Sequence, residues 1–156
     1  MKAVLAYSGG LDTSCAIAWL KEDYGFDEVV AVLVDVGQEA DFEPAIQRGY
    51  AAGADDVILL DKKDEFAEQV VAKALLANAL YEGKYPLVSA LSRPVIVKHL
   101  VAAARAHGAD AVAHGCTGKG NDQVRFEVST RALAPDLDIL APAREWGMSR
   151  EDCILY

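Results

Sequence analysis

Short apolar runs recur along the chain and alternate with longer segments that carry apolar residues at helical spacing. The runs occupy residues 3–7, 29–36, 56–60, 111–114 and 137–141. The helical segments occupy residues 13–24, 42–52, 65–80, 91–107 and 122–133. A run that is apolar on both faces suits a parallel strand covered by helices on each side. The alternation therefore predicts a doubly wound α/β domain with right-handed crossovers.

Glycines follow three of the predicted helices, where a left-handed residue at the helix C-terminus favours glycine. They are Gly25, Gly53 and Gly108. Each leads through a short acidic turn into the next predicted strand, which supports the helix ends. Residues 81–89 do not fit the alternation, because this polar segment contains a glycine and a proline. Two interpretations of it stay open, a functional loop and a plain connector.

Length and charge narrow the possible functions. The 156 residues match one ordinary domain with a sizeable core. The formal net charge is −9 and no stretch concentrates lysine and arginine, so nothing indicates a nucleic-acid partner. No apolar run approaches a membrane span, and the N-terminus lacks the pattern of a secretory signal. We therefore expect a cytoplasmic protein whose partners are neither nucleic acid nor membrane.

The three cysteines match no zinc or redox spacing, and we assign no residue to a metal ion. Cys15 lies in a helical apolar stretch and is expected to pack in the core. Cys116 lies in a glycine-rich loop, where a reactive thiol and a small buried side chain are both open. Residues 149–156 resemble a helix start with Ser149 as its cap, followed by apolar residues. We expect from this ending that the chain is a fragment of a longer one.

The segment between the first strand and the first helix reads Ser-Gly-Gly-Leu-Asp-Thr-Ser over residues 8–14. Its glycines let the backbone turn tightly and approach a ligand closely. The helix N-terminus adds unpaired N–H donors and the positive end of the helix dipole, and three hydroxyl side chains lie beside it. Ligands of open α/β sheets bind beyond the carboxyl ends of the strands. The segment therefore predicts a phosphate site, with a plain capped turn as the alternative.

This loop lacks the lysine of the P-loop pattern and does not read G-x-G-x-x-G. It resembles the Ser-Gly-Gly-x-Asp-Ser loop of the N-type ATP pyrophosphatases, with Thr13 between Asp12 and Ser14. Those enzymes cut ATP between the α and β phosphates, leave AMP on the substrate and release pyrophosphate. The resemblance implies that this chain binds ATP in order to adenylate a small substrate.

A second glycine-rich loop follows the fourth predicted strand and opens a helix. Residues 114–126 read His-Gly-Cys-Thr-Gly-Lys-Gly-Asn-Asp-Gln-Val-Arg-Phe. Lys119 can meet a phosphate as a mobile charge, and Asn121 and Arg125 share one helix face. With Asp122 beside them, the arginine can bind the carboxylate of an amino acid and the aspartate its ammonium group. These residues favour an amino-acid site over the alternative of a helix cap with a solvated ion pair.

The two loop sequences together are similar to those of the argininosuccinate synthase family. Residues 37–38, 85–86 and 92–94 also match, so the resemblance runs through the whole chain. It implies a five-stranded parallel sheet in the order 3-2-1-4-5 with helices on both faces, of the adenine nucleotide alpha-hydrolase type. It also implies a ligase of arginine biosynthesis that uses ATP and Mg²⁺. In that reaction the ureido oxygen of citrulline displaces pyrophosphate from ATP, and the amine of aspartate then displaces AMP.

The resemblance further implies roles for individual residues. The ATP-binding residues are Ala6, Tyr7, Ser8, Gly9, Gly10, Leu11, Asp12, Thr13, Ser14, Val34 and Gly115. The residues that bind aspartate or citrulline are Tyr85, Ser89, Thr117, Asn121, Asp122 and Arg125. Asp12 and Lys119 are expected to act in catalysis. Val34 is expected to line the adenine pocket through its backbone.

Members of that family are longer than this chain. The resemblance makes residues 1–156 the ATP-binding domain and assigns further citrulline contacts and most of a tetramer interface to a second domain, absent here. We expect this part to bind ATP and to turn over poorly, and its full-length parent to be a homotetramer. Two rivals stay open. One is another enzyme of the same loop class, either tRNA-thiolating or GMP-forming, and the other is a non-catalytic nucleotide-sensing module.

Overall fold

The computed structural model describes residues 1–118, 120–147 and 150–156. A five-stranded parallel sheet forms its centre, in the order β3-β2-β1-β6-β7, and a separate hairpin pairs β4 with β5. The strands are β1 (Lys2–Ala6), β2 (Glu28–Asp35), β3 (Asp56–Asp61), β4 (Leu80–Tyr81), β5 (Tyr85–Pro86), β6 (Ala111–His114) and β7 (Asp138–Leu140). With the hairpin set aside, this is the predicted order 3-2-1-4-5, and the predicted fold class is confirmed.

The five predicted strands are all present, and their ends lie within one residue of the prediction. In β2 every residue after Glu28 is buried, as expected for a parallel strand covered on both faces. Successive side chains of β1 point to opposite faces of the sheet, so Leu5 belongs to one apolar cluster and Val4 to the other. The sheet therefore separates two packed cores, one beneath each layer of helices.

Helices cover both faces of the sheet. They are α1 (Leu11–Glu22), α2 (Glu43–Ala51), α3 (Lys63–Phe66), α4 (Ala72–Leu76), α5 (Val88–His107), α6 (Asp122–Leu133), α7 (Pro142–Glu145) and α8 (Arg150–Leu155). A π-helical turn, Ala67–Val71, joins α3 to α4. Three helices begin earlier than predicted, α1 and α3 by two residues each and α5 by three. Within the described ranges, no helix has both the length and the apolar character needed to cross a bilayer.

The helix predicted over residues 65–80 is wrong at its C-terminal end. It stops at Leu76 because Asn78 adopts a left-handed conformation with φ +48°. The N–H of Asn78 donates to the carbonyl of Leu75, and the N–H of Ala79 donates to that of Ala74. This pair of bonds is the Schellman motif, which closes a helix and in which asparagine can replace glycine.

Residues 81–89, the segment outside the predicted alternation, form most of the hairpin and the start of α5. Tyr81 pairs with Tyr85 across the hairpin. Glu82 and Gly83 in its turn both have positive φ, as the tight turns of hairpins require. The tyrosine rings are exposed, so this hairpin projects from the domain.

Helix α8 packs against α1 through two cysteines. The thiol of Cys15 donates to the carbonyl oxygen of Cys153 at 3.2 Å, and both residues are buried. Cys15 therefore lies in the core, as its helical apolar setting predicts. Its pKa is raised to about 11, chiefly by burial. Ile154 and Leu155 are exposed, and the predicted cap Ser149 lies outside the described residues.

Candidate active site

The loop between β1 and α1 is held by hydrogen bonds between its own hydroxyl groups and backbone. The hydroxyls of Ser8 and Thr13 are 3.1 Å apart, and those of Tyr7 and Ser14 are 3.0 Å apart. Thr13 and Ser14 both donate to the carbonyl oxygen of Gly10, at 3.1 and 3.0 Å. These bonds order the loop around the N-terminus of α1, where the first backbone N–H groups have no helical partner. The arrangement suits an anion.

Close packing explains the glycine at position 9. Gly9 has φ +75°, and a Cβ atom placed there would lie 2.5 Å from the Cβ of Ala45 on α2. A side chain would therefore meet both backbone strain and a steric clash. The loop can follow this path close to α2 only with glycine.

The second glycine-rich loop touches the first. A Cβ atom placed on Gly115 would lie 2.5 Å from the methyl carbon of Thr13. Gly115 follows β6 directly, and β6 pairs with β1 in the sheet. The sequence therefore brings both loops to the same carboxyl edge of the sheet, as predicted for a ligand site in this fold.

A cleft of about 340 Å³ opens at this edge of the sheet. Its size lies in the range of small-molecule sites. Six of the predicted ATP-binding residues line it: Ala6, Tyr7, Ser8, Thr13, Val34 and Gly115. Five further predicted residues, which are not among the lining residues, belong to the same loop and the first turn of α1: Gly9, Gly10, Leu11, Asp12 and Ser14. We call this space the first cleft.

A second cleft, of about 310 Å³, lies where the hairpin, the start of α5 and the start of α6 meet. It brings together five of the six residues predicted to bind amino acids: Tyr85, Ser89, Asn121, Asp122 and Arg125. The sixth, Thr117, is exposed and does not line it. Of the two predicted catalytic residues, Asp12 does not line it and is exposed in the first turn of α1, and Lys119 lies outside the described residues.

Two arginines meet at the carboxylate of Asp122. Arg125 donates to one oxygen at 2.7 Å, and Arg93 donates to the other through Nε at 3.1 Å and Nη2 at 3.0 Å. Burial favours a higher pKa for Asp122, but the hydrogen bond from Arg125 and the charge of Arg93 outweigh it and hold the pKa below its ordinary value. Because Arg93 lines the first cleft and Asp122 the second, this ion pair lies between them.

Known proteins match this chain over nearly its whole length. Residues 2–156 match the family model described as "Arginosuccinate synthase N-terminal HUP domain". The chain belongs to this family. The argininosuccinate synthase of Gloeobacter violaceus is 59% identical over 155 residues, and that of Nostoc punctiforme is 56% identical over the same length. Each match covers 99% of this chain and 39% of the relative, so the chain spans about two fifths of the length of these relatives.

Two solved structures of lower sequence identity share the fold. One is a predicted subunit of tRNA methyltransferase from Methanocaldococcus jannaschii, with a TM-score of 0.63 at 17% identity, covering 99% of this chain and 74% of that one. The other is the NAD⁺ synthetase of Burkholderia pseudomallei, with a TM-score of 0.56 at 20% identity, covering 99% and 57%. At these identities the likeness describes the fold alone.

His114 lies at the end of β6 in this HUP domain and lines the first cleft with only 1% of its surface exposed. Its Nδ1 accepts the N–H of Cys116 at 3.3 Å, which gives the neutral ring its proton on Nε2. Within the described part of the chain Nε2 has no hydrogen-bond partner, and its nearest carboxylate oxygen, on Glu127, is 3.8 Å away. Burial lowers the pKa of His114, against the opposing charge of Glu127, so a neutral ring is favoured.

Cys116 is the loop residue for which a reactive thiol and a buried side chain were both open. It is partly buried, and burial raises the pKa of its thiol to about 11. A thiol with this pKa stays protonated at neutral pH and is a poor nucleophile. The geometry therefore favours packing.

The second loop of the HUP domain is also held by Arg144 of α7. One of its guanidinium nitrogens donates to Glu127 at 2.6 Å and to Gln123 at 3.2 Å. The side-chain amide of Gln123 in turn donates to the carbonyl oxygen of Gly118 at 3.3 Å. A residue beyond the last strand thus contributes to the shape of the loop.

Several lining residues of the first cleft are absent from the predicted ATP-binding residues. They include Gln38, Phe42, Arg93, His114 and Phe126. The signal that could have indicated Gln38 and Arg93 is the family resemblance, because residues 37–38 and 92–94 are among those that match.

Proposed function

We propose that this chain is the ATP-binding part of an argininosuccinate synthase, which joins citrulline to aspartate and releases AMP and pyrophosphate. The family and the near-complete match to curated relatives support this proposal. The observation that carries it is the ion pair between Arg93 and Asp122, which connects a cleft suited to a nucleotide with one suited to amino acids.

The first cleft has the chemistry to hold ATP. Its apolar wall includes Val32 and Val34 and suits a purine ring. The hydroxyls of Ser8 and Thr13 and the N-terminus of α1 suit the phosphates. These donors would stabilise the negative charge that develops as pyrophosphate leaves. Lys119 is proposed to add a mobile positive charge.

The second cleft has the chemistry to hold the two amino acids. Asp122 carries one negative charge between two arginines, so the group keeps one net positive charge, which favours a carboxylate. Asn121 and Tyr85 add an amide and a phenol at the same surface. Orientation of two amino acids against one phosphate is the main catalytic contribution we assign to these residues.

Magnesium would be held mainly by the nucleotide. Among the described residues, no group of three or more histidine, cysteine, aspartate or glutamate side chains is placed to hold a metal ion. Proteins commonly bind Mg²⁺ through one or two carboxylates together with substrate phosphates. Asp12, exposed in the first turn of α1, is the carboxylate we propose for that role.

The wider properties of the protein are part of the same proposal. We propose that residues 1–156 form one domain of a longer, cytoplasmic homotetramer, with small-molecule substrates and no nucleic-acid partner. A second domain would complete the citrulline site. This chain by itself would bind ATP and turn over slowly.

Release of pyrophosphate from ATP by the full-length protein tests the proposal. We expect sustained release only when citrulline and aspartate are both present, because citrulline alone can release at most one pyrophosphate per site. We expect this sustained release to be lost in Asp122→Ala and Arg125→Ala. Arg105→Ala is a matched control, because Arg105 pairs with Asp136 outside both clefts. ATP binding that is indifferent to both amino acids would identify a nucleotide-sensing module instead. Release that depends on a different acceptor would identify another enzyme of the same loop class.

A further inference from the structure

Arg48 lies on α2, outside both clefts, yet its side chain reaches the loop between β1 and α1. Its Nε donates a hydrogen bond to the carbonyl oxygen of Gly9 at 3.0 Å. The two residues are 39 positions apart, and no sequence motif connects them. The contact therefore ties α2 to the backbone of this loop.

The peptide group between Gly9 and Gly10 carries both the carbonyl that Arg48 bonds and the N–H of Gly10. The described chain contains no cis peptide bond, so this carbonyl and the N–H of Gly10 point in opposite directions. With the carbonyl bonded to Arg48 on α2, the N–H points away from α2. It donates to the hydroxyl of Ser8 at 3.3 Å, and Ser8 lines the first cleft. The bond to Arg48 thus fixes the direction of a donor on the other side of the same peptide.

Because both residues are glycines, the orientation of the peptide between Gly9 and Gly10 depends on a contact from outside the loop. Without a Cβ atom, Gly9 and Gly10 have little intrinsic preference among backbone conformations, so the peptide between them can rotate at low cost. Ala45 restricts the position of Gly9 from one side, but a steric contact alone does not orient a carbonyl group. Arg48 supplies the directional contact from the same helix.

We infer that Arg48 is a positioning residue of the loop between β1 and α1. It holds the Gly9–Gly10 peptide so that the N–H of Gly10 points to the side of Ser8, where an anionic phosphate group of a nucleotide or of pyrophosphate can replace the Ser8 hydroxyl as its acceptor. The inference rests on the proposed function, since it assumes that this loop binds phosphate. Arg48 itself contacts the loop from α2, outside the first cleft, and acts through the backbone.

Inorganic pyrophosphate and AMP are the probes that test this inference on the 156-residue chain. We expect Arg48→Met, which keeps the length and loses the donor, to weaken pyrophosphate binding by about 5-fold, the effect of one ordinary hydrogen bond. Arg48→Lys keeps the charge without Nε and should be weakened to a similar extent. AMP binding should change less than pyrophosphate binding in both variants.

The amide signal of Gly10 gives a readout that a merely structural role would not move. In chain labelled with ¹⁵N-glycine, pyrophosphate should shift this signal in the unaltered protein and shift it less in Arg48→Met. Arg105→Met is the matched control, because it removes an exposed arginine that bonds Asp136 away from both clefts. Its pyrophosphate affinity should match that of the unaltered chain.

The outcomes separate this inference from the proposed function. If the unaltered chain binds neither pyrophosphate nor ATP, both the proposed function and the role of Arg48 are wrong. If the unaltered chain binds pyrophosphate and Arg48→Met binds it equally well, only the role of Arg48 is wrong. Equal weakening of pyrophosphate and AMP, with a lower unfolding temperature, would make Arg48 a stabilising residue and would also overturn the inference. Full affinity in Arg48→Lys would assign the effect to the positive charge rather than to the directional bond from Nε, and would likewise overturn the inference.

Discussion

The two clefts of this domain are built in different ways. The first is formed by the ends of strands in the sheet and by buried residues such as Thr13, Val34 and His114. The second is formed by a projecting hairpin and two helix starts, and Tyr85 within it is 60% exposed. A site built on the sheet inherits the rigidity of the core, whereas one built on loops depends on ion pairs and on whatever else covers it. The comparison predicts a preformed nucleotide end and an incomplete amino-acid end.

Gly9→Ala should have the largest effect on the first cleft. The substitution combines a left-handed backbone position with a 2.5 Å approach to Ala45, so the loop must move. A displacement of about 1 Å can lower a catalytic rate ~100-fold. We expect the ATP affinity to fall by at least the same factor. Isothermal titration calorimetry of the chain with ATP measures it.

Gly53→Ala is the control for that change. Gly53 also has positive φ, +95°, but a Cβ atom there would meet nothing within 4 Å. It should lose about 1 kcal/mol of stability and keep its ATP affinity. If Gly53→Ala weakens ATP binding as much as Gly9→Ala, general destabilisation rather than loop geometry explains the result.

Asp122→Ala should separate the two clefts. Loss of this carboxylate leaves Arg93 and Arg125 without their shared partner, and removal of one member of such a group is costly. We expect turnover by the full-length protein to fall about 100-fold, while ATP affinity changes less than about 2-fold. Parallel measurements of pyrophosphate release and ATP binding test this. An equal loss of both would contradict the division into two clefts.

Gly115→Ala should weaken ATP binding by about 10-fold, because the new methyl group meets the methyl carbon of Thr13 and overpacks the junction of the two loops. Thr13→Ser removes that methyl carbon and keeps the hydroxyl. The double variant should therefore recover most of the affinity in a fluorescence or calorimetric titration. Absence of recovery would show that Gly115 serves another purpose.

Mild acid should have the smallest effect, and it should act first on the first cleft. The pKa of buried His114 is lowered on folding, so the unfolded chain binds the proton more readily. Stability is therefore greatest above about pH 6.5 and falls as the pH decreases below it, by up to ~1.4 kcal/mol per pH unit while the folded ring stays neutral. Urea unfolding at pH 7.5 and 5.5 should show a smaller difference in His114→Gln than in the unaltered chain.

The second cleft should respond only at lower pH. The pKa of Asp122 is held below its ordinary value, so the carboxylate and its two ion pairs persist in mild acid and are lost only as the pH falls below about 4. Loss of the Asp122 ion pairs in the same pH range as the His114 effect would contradict this ordering.

Local patterns were enough to predict the sheet and the two loops. Apolar runs mark β1 and β6, and the left-handed glycines predicted at positions 25, 53 and 108 all have positive φ. Contacts between residues far apart in the sequence leave no such local pattern. Arg93 meets Asp122 across 29 positions and Arg48 meets Gly9 across 39. The helix stop at Asn78 was missed because Ala- and Leu-rich sequence favours continuation, and one left-handed asparagine overrides it.

Calorimetric titration of this 156-residue chain with ATP, citrulline and aspartate tests the central claim most directly. The account predicts measurable ATP binding, competition by pyrophosphate, and much weaker binding of either amino acid alone. Loss of the ATP signal in Gly9→Ala would place the nucleotide at the loop between β1 and α1. A chain that is folded and binds no ATP, or that binds it equally well in Gly9→Ala, would contradict the assignment of the first cleft.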